Sequence, residues 1–409
     1  MKQGLFIFIL CLLSLCVHAL EGVGNLEKNL FEKNQEIKSL ENNIESKEAL
    51  YHSSNSGFYP TLSAVGGLGQ NRTDDLNSIE KGYLGYLEGR LNLFKGFKDL
   101  AFRHLREIDL KFSKLELETK KRQLRYELTE VLSDMIYFHK FQGVLEESLA
   151  VVQNQKKMAS KKVSAGLTGS VDNLEFELRE SEILIEQKQL VQKHLELHQK
   201  LIQLMGEDLA DSELNHIDFS DINKLTATMA EIKPESSLDY QNAQLAEAWA
   251  EQEKKEVKSE FFPSLDFTYS VGRLTPSEES PIRFNENRYA LLLTIPLFSG
   301  LDTYYKTKSA SSAYHSAEKI KLQRMNDIKA DLAVSKTKIQ ELKALYEIND
   351  KRAIASQKYF DLTLSEYRRG IKNSPDLVGA TDRLFSSKKR KFEILKELEL
   401  LNVKLANYN

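Results

Sequence analysis

The sequence predicts an α+β chain built mostly of very long helices, carrying four short strands and duplicated internally. Three observations predict it. Apolar residues recur in long seams at alternating spacings of four and three. Two pairs of short segments alternate in polarity residue by residue. Both features, and a glycine turn, return 203–204 positions further on. Only 7 prolines and 19 glycines punctuate 409 residues, and 29% of the residues are charged, a composition of long helices rather than of a compact mixed domain. The formal net charge of −3 gives no basic footprint for nucleic acid.

Residues 1–19 read as a secretory signal peptide. Lys2 supplies the positive start, Leu5 to Val17 the apolar run, and Val17-His18-Ala19 the cleavage site. The run is short for a membrane span. Cys11 and Cys16, the two cysteines, lie inside it, so a mature chain has no disulfide or thiol chemistry. Leu13-Ser14-Leu15-Cys16 faintly resembles a lipoprotein processing site, but Leu15 is too large for the position before a lipidated cysteine. No later stretch approaches 18 apolar residues, which leaves a closed β-barrel as a way into a membrane.

A polar helical pattern over 24–56 leads into the first strands. Thr61 to Gln70 is small and apolar, and in Gly82 to Leu93 the residues Tyr83, Gly85, Leu87, Gly89, Leu91 and Leu93 share one parity while Leu84, Tyr86, Glu88, Arg90 and Asn92 share the other. Such alternation is a strand with one apolar and one wetter face. The device returns after Pro263. Leu265, Phe267, Tyr269 and Val271 alternate with Asp266, Thr268 and Ser270, and, past a loop over Leu274 to Glu286, Tyr289, Leu291, Leu293, Ile295 and Leu297 alternate with Arg288, Ala290 and Thr294. Leu93-Phe94-Lys95-Gly96 and Leu297-Phe298-Ser299-Gly300 close the two hairpins into helices.

The next signal is the strongest. Leu124, Leu128, Val131, Met135, Phe138, Gln142, Leu145, Leu149 and Val152 form a coiled-coil seam at 3.5 residues per turn. Adding 204 gives Ile328, Leu332, Ser335, Ile339, Leu342, Tyr346, Asn349, Ala353 and Ser356, a more polar version of the same seam. The first long helix, 97–164, has 68 residues and is roughly 100 Å long at 1.5 Å per residue. Each long helix turns at a glycine, Gly166 or Gly370, and returns. The organisation is a signal peptide (1–19), a first repeat (20–206) and a second repeat (235–409), joined by an irregular equatorial linker (207–234). The first repeat holds a hairpin over 58–94, the long helix 97–164 and a return helix 171–205. The second holds a hairpin over 261–298, a long helix 301–369 and a return helix 376–406.

Four strands cannot close a barrel, for which about eight are needed, so the strands should pair with those of other copies. Three chains supply twelve. Here the sequence resembles the TolC-like outer-membrane channels of Gram-negative efflux pumps and type I secretion systems. The resemblance rests on the Pro-initiated strands (Pro60, Pro263), the L-F-x-G turns (Phe94/Gly96, Phe298/Gly300) and the Y-x-x-G-x-x-x-x-x-D tip (Tyr367, Gly370, Asp376). It implies a homotrimer whose strands form a twelve-stranded barrel in outer-membrane lipid, above an α-helical tunnel through the periplasm. It also implies opening at the tip when a periplasmic adaptor and an inner-membrane pump of the RND or ABC type dock.

The resemblance also implies site residues. The family's tip helix carries two Asp three residues apart, facing the lumen. The first maps to Asp376, the second to Gly379, and Asp382 lies about a turn further on. Tyr367 and Lys372 match the residues that tie the closed tip, with Arg368 and Arg369 adding positive charge and Asp172 as an acceptor on the first turn. Gly166, Gly169, Gly370 and Pro375 mark the turns that an adaptor would read, and Gly96 and Gly300 the strand-to-helix turns. An N-cap is the ordinary role for an acid at Asp376. His194 and His198, one helical turn apart, read as a solvated face rather than a metal site. No cofactor, metal or catalytic constellation is expected. The competing reading is a periplasmic coiled-coil adaptor or spacer, which accounts for the rods but not for two hairpins of membrane-compatible parity.

Overall fold

A helix with apolar residues every 3.5 positions buries one stripe, and a strand with alternating polarity offers two unlike faces. Both patterns organise the chain. The computed structural model describes residues 24–72, 79–207, 218–219, 233–277, 286–406 and 408. The signal-peptide reading and most of the linker reading lie outside them.

Helices over 24–33 (α1) and Gln35–Ser53 (α2) precede the strands β1 (Thr61–Arg72) and β2 (Ile79–Lys95). The helical pattern over 24–56 thus divides at Asn34, whose side-chain oxygen accepts from the N–H groups of Glu36 and Ile37 at 2.9 and 3.2 Å and caps α2. Then come α3 (Lys98–Ser164), α4 (Val171–Met205), α5 (Leu238–Ser259), β3 (Ser264–Ser277), β4 (Glu286–Thr294), α6 (Asp302–Arg368) and α7 (Ser374–Ala406). The fold class is the expected one: long helices with one small antiparallel sheet, internally duplicated. The chain forms two compact units, Ser39–Leu117 with Leu238–Asn326, and Met1–Lys38 with Glu118–Ser237 and Asp327–Asn409.

The first unit holds a four-stranded sheet in the order β1-β2-β3-β4, so the hairpins of the two repeats join through β2 and β3. Register sets the faces. Leu62 lies opposite Gly89, Gly89 opposite Tyr269, and Tyr269 opposite Tyr289. One face therefore carries Leu62, Leu68, Tyr83, Leu87, Phe267, Tyr269, Tyr289, Leu291 and Leu293, and all of them are exposed. Leu62 is 78% exposed and Tyr289 77%, values of a face that packs on nothing among the described residues. The other face carries polar rows such as Ser63, Glu88, Ser270 and Arg288.

Two strand boundaries differ from the sequence reading. β3 continues through Ser277, because the Glu286 carboxylate accepts from the N–H groups of Leu274 and Thr275, both at 3.1 Å, and holds that stretch extended. β4 stops at Thr294, short of Leu297, and Pro296 has no N–H to extend the ladder. Each hairpin enters its long helix through two successive left-handed residues, Gly96 (φ 60°) with Phe97 (66°) and Gly300 (66°) with Leu301 (67°). At Gly96 a Cβ would lie 2.6 Å from the Ser259 carbonyl oxygen, so glycine is required there by space as well as by φ.

The second unit is helical. Every position of the seam on α6 from Ile328 to Ser356 is buried or half-buried, and the stripe runs on through Phe360 and Thr363 to Tyr367. On α3 the stripe departs from the expected one after Met135. Gln142 is exposed, while Tyr137, Phe141 and Val144 are buried. The cause is contact on two sides: α3 meets α4 through Gln153 and Lys156 with Glu180 (3.1 and 2.9 Å), and meets α7 through Asp134 with Lys396 (2.5 Å) and Glu147 with Lys388 (2.6 Å). α7 also meets α6, where the buried Asn349 amide donates to the Ser387 carbonyl at 2.9 Å and Lys391 pairs with Asp350 at 3.0 Å.

Glu399 on α7 is buried, and burial pushes its carboxyl up to about 8. A raised folded value means that its contribution to stability is fully present below the ordinary carboxylate value and is lost as pH rises through about 8. Glu399→Gln should therefore melt higher than the parent at pH 9, with the gap closing towards pH 5, in thermal unfolding followed by circular dichroism.

Candidate functional site at the paired turns

The turns that end α3 and α6 share one construction. Gly166 (φ 68°) and Gly370 (φ 79°) are left-handed, and the next N–H closes each helix end: Leu167 donates to the Lys162 carbonyl at 2.9 Å and Ile371 to the Glu366 carbonyl at 2.9 Å. In this motif the residue after the glycine commonly packs back on its helix. Here Leu167 is 73% exposed and Ile371 63%, so both point away. Gly169 lies on the exposed approach to α4, its carbonyl accepting from Asp172 N–H at 3.2 Å. Pro375 is exposed in the first turn of α7.

Tyr367 is the last position of the α6 seam and is fully buried. Its ring meets Phe176 of α4 edge-on at 5.9 Å. Lys162 of α3 caps it: the ammonium donates to the Tyr367 carbonyl oxygen and sits 4.0 Å from the ring centroid. That carbonyl also accepts from the Gly370 N–H at 3.1 Å and lies at a helix C-terminus, where the macrodipole favours a cation. Burial, and secondarily the Asp172 charge, push the Tyr367 hydroxyl up to about 12.

Asp172, in the first turn of α4, accepts from the Ser374 hydroxyl at 2.8 Å, and Ser374 opens α7. A second tie lies deeper, where the Gln155 amide donates to the Thr381 hydroxyl at 2.9 Å, fully buried. Lys162 and Phe176 on Tyr367, Asp172 on Ser374, and Gln155 on Thr381 thus join the first turn and its helices to the second.

The expected residues divide in the structure. Tyr367 and Asp172 stand in the contact between the turns. Lys372 does not reach the first turn; it folds back towards Asp376 at 3.8 Å. Asp376 is not the N-cap of α7, since the Asn373 side chain caps the helix by accepting from Asp376 N–H at 3.1 Å. Asp382 is drawn sideways to Arg179 of α4 at 2.8 Å; burial raises its carboxyl despite that guanidinium. Arg368 and Arg369 are exposed. Lys162 escaped the sequence reading. Its one signal is an asymmetry of the repeats, since 204 positions on stands Glu366. Among the described residues, no group of three His, Cys, Asp or Glu side chains is placed to hold a metal.

An open sheet of four strands, rods of 67 residues and paired glycine turns define the fold class. Residues 234–407 match the family model described as outer membrane efflux protein. The chain has the fold of TolC-like channels. It is similar to the outer membrane protein VceC of Vibrio cholerae over 94% of its own length and 95% of that chain (TM-score 0.81, 12% identity). It is similar to the MtrE outer membrane channel of Neisseria gonorrhoeae over 95% and 88% (TM-score 0.77, 15% identity). The CmeC outer membrane channel of Campylobacter jejuni matches over 95% and 85% (TM-score 0.74, 11% identity). No curated protein sequence matches the chain.

Lys162→Met should loosen the second turn. Losing a charge-assisted hydrogen bond and a cation–π contact costs about 1–2 kcal/mol locally. Hydrogen exchange at the Gly370 and Ile371 amides should then quicken on the order of tenfold. Exchange near Asn349 should stay unchanged, which separates a local tie from global destabilisation.

Proposed function

We propose that three copies of the chain assemble into an outer-membrane channel that serves as the exit duct of a tripartite efflux pump or a type I secretion system. The observation that carries this reading is the sheet. Its outer strands, β1 and β4, each pair on one side only, and one face is apolar and exposed across all four strands. Such a sheet leaves two hydrogen-bonding edges unsatisfied, and closure with other copies removes them. Twelve strands then present the face of Leu62, Leu291 and Leu293 to lipid and the row of Ser63, Glu88 and Arg288 to the lumen. No helix among the described residues is long and apolar enough to cross a membrane, which leaves this role to the strands.

In this reading the rods bridge the periplasm and the paired turns form the narrow end, with Asp376 on the α7 face towards the passage. Lys162–Tyr367 and Asp172–Ser374 hold each chain's turns together, and docking of a periplasmic adaptor and an inner-membrane pump, RND or ABC, opens them. The exposed glycine turns at Gly166, Gly169 and Gly370, with Pro375, form the surface an adaptor would meet. The pump decides what is exported.

Cell fractionation tests the reading. The chain should pellet with the outer membrane and, extracted in detergent, have the mass of three copies. Recovery as a soluble periplasmic protein would support a coiled-coil spacer instead. Leu293→Arg places a charge on the lipid-facing side at a cost of roughly 2–4 kcal/mol near mid-bilayer. It should reduce trimer yield, whereas Ala290→Arg on the opposite face should not.

A further inference from the structure

We infer that the narrow end of this conduit favours anions. The inference rests on the channel reading above and concerns the charge that the second turn and α7 present.

The less buried stripe of α7, half-buried at Asp376 and Gly379 and exposed at Arg383 and Ser386, can be read from burial. Leu377, Ala380, Thr381, Leu384 and Ser387 face inward. The complementary positions at spacings of three and four are Asp376, Gly379, Arg383 and Ser386. A stripe of carboxylates would select cations. This stripe holds one carboxylate, a glycine one turn on, and an arginine on the following turn.

Asp376, Asp382, Asp172, Glu177 and Glu180 are already engaged. Asp376 lies 3.8 Å from Lys372, and Asp382 lies 2.8 Å from Arg179. Asp172 accepts from Ser374 at 2.8 Å, and on α4 Glu177 and Glu180 converge on Lys156 at 3.7 and 2.9 Å. The cations are not matched in the same way. Arg368 and Arg369 are exposed beyond the end of the α6 seam and make no ion pair among the described residues. Arg383 is exposed and lies 5.2 Å from the Tyr359 ring, a contact that leaves its charge in place. Residues 366–383 contain four cations, Arg368, Arg369, Lys372 and Arg383, and three anions, Glu366, Asp376 and Asp382. With Asp376 and Asp382 paired, three arginines stand against Glu366, which is half-buried.

A bland account exists for part of this, since Arg368 and Arg369 complement the dipole at the end of α6. That account does not cover Arg383, ten residues into α7. In a ring of three copies the excess is repeated three times round a narrow passage, where low-dielectric walls focus the potential and raise the local concentration of the opposite charge. The substrates such a passage admits best are anionic or neutral small solutes.

Single-channel recording of the full-length protein in a planar bilayer, across a KCl gradient, tests this. The reversal potential should show chloride preferred over potassium by several-fold. Arg368→Glu with Arg369→Glu and Arg383→Glu should invert the preference. Arg383→Gln, which removes charge at little change of size, should shift it part of the way and stands in if the triple variant fails to assemble. Asp376→Ala, by freeing Lys372, should strengthen the chloride preference. Potassium preference in the parent, or a reversal potential indifferent to the arginine substitutions, would overturn the inference while leaving the channel intact. A trimer that inserts and passes no current would overturn the channel reading itself.

Discussion

The packing of α7 between its neighbours is the constraint on which the helical unit depends. Between Ser374 and Ser387, α7 buries Leu377, Val378, Ala380, Thr381, Leu384 and Phe385 and leaves a stripe through Arg383 and Ser386 exposed. It can do so because the contact positions are small: Ala380, Thr381 and Ser387 are fully buried and let three helices approach. Small residues supply little apolar area, so specificity comes from directed polar bonds, Gln155 to Thr381 and Asn349 to Ser387. A buried amide fixes register because any slip leaves its donors unsatisfied. The ion pairs of Lys388, Lys391 and Lys396 lie at the rim, where exposed pairs contribute little, and they choose among registers more than they stabilise one.

That register decides what happens at the turns. Tyr367 is where the α6 seam runs out, so its burial is the last event of a regularity extending from Ile328. The carbonyl it leaves at the helix end is taken by Lys162, and the aromatic face is covered by Phe176 and the same ammonium. The turns and their helices are joined at Lys162, Asp172, Gln155, Phe176 and Arg179.

The sheet depends on a different constraint. The two hairpins form one sheet through β2 and β3, and bulges near Tyr83/Gly85 and Asn92/Phe94 adjust the pairing. Gly272 and Gly96 sit where strand or loop backbone approaches too closely for a Cβ. The consecutive left-handed residues at both hairpin exits turn each chain sharply into its rod, and a bulky residue, Phe97 or Leu301, bears the uncommon conformation in each copy.

Much of this was legible in the residues. Strand parity, the 3.5-residue seam and the 204-residue repeat are periodic signals summed over many positions, and local physics enforces them without reference to the rest of the chain. The positions of Gly166 and Gly370 were legible for the same reason, since a left-handed helix end selects glycine in any surroundings. What only the tertiary structure decided is which charge meets which. Asp376 rather than an acid of the first turn took Lys372, Arg179 took Asp382, and Lys162, which no periodicity marks, took Tyr367. Partner choice depends on helix rotation and separation. These are set by the buried face, where Gln155, Thr381 and Ser387 allow close approach, and no single-helix pattern encodes them.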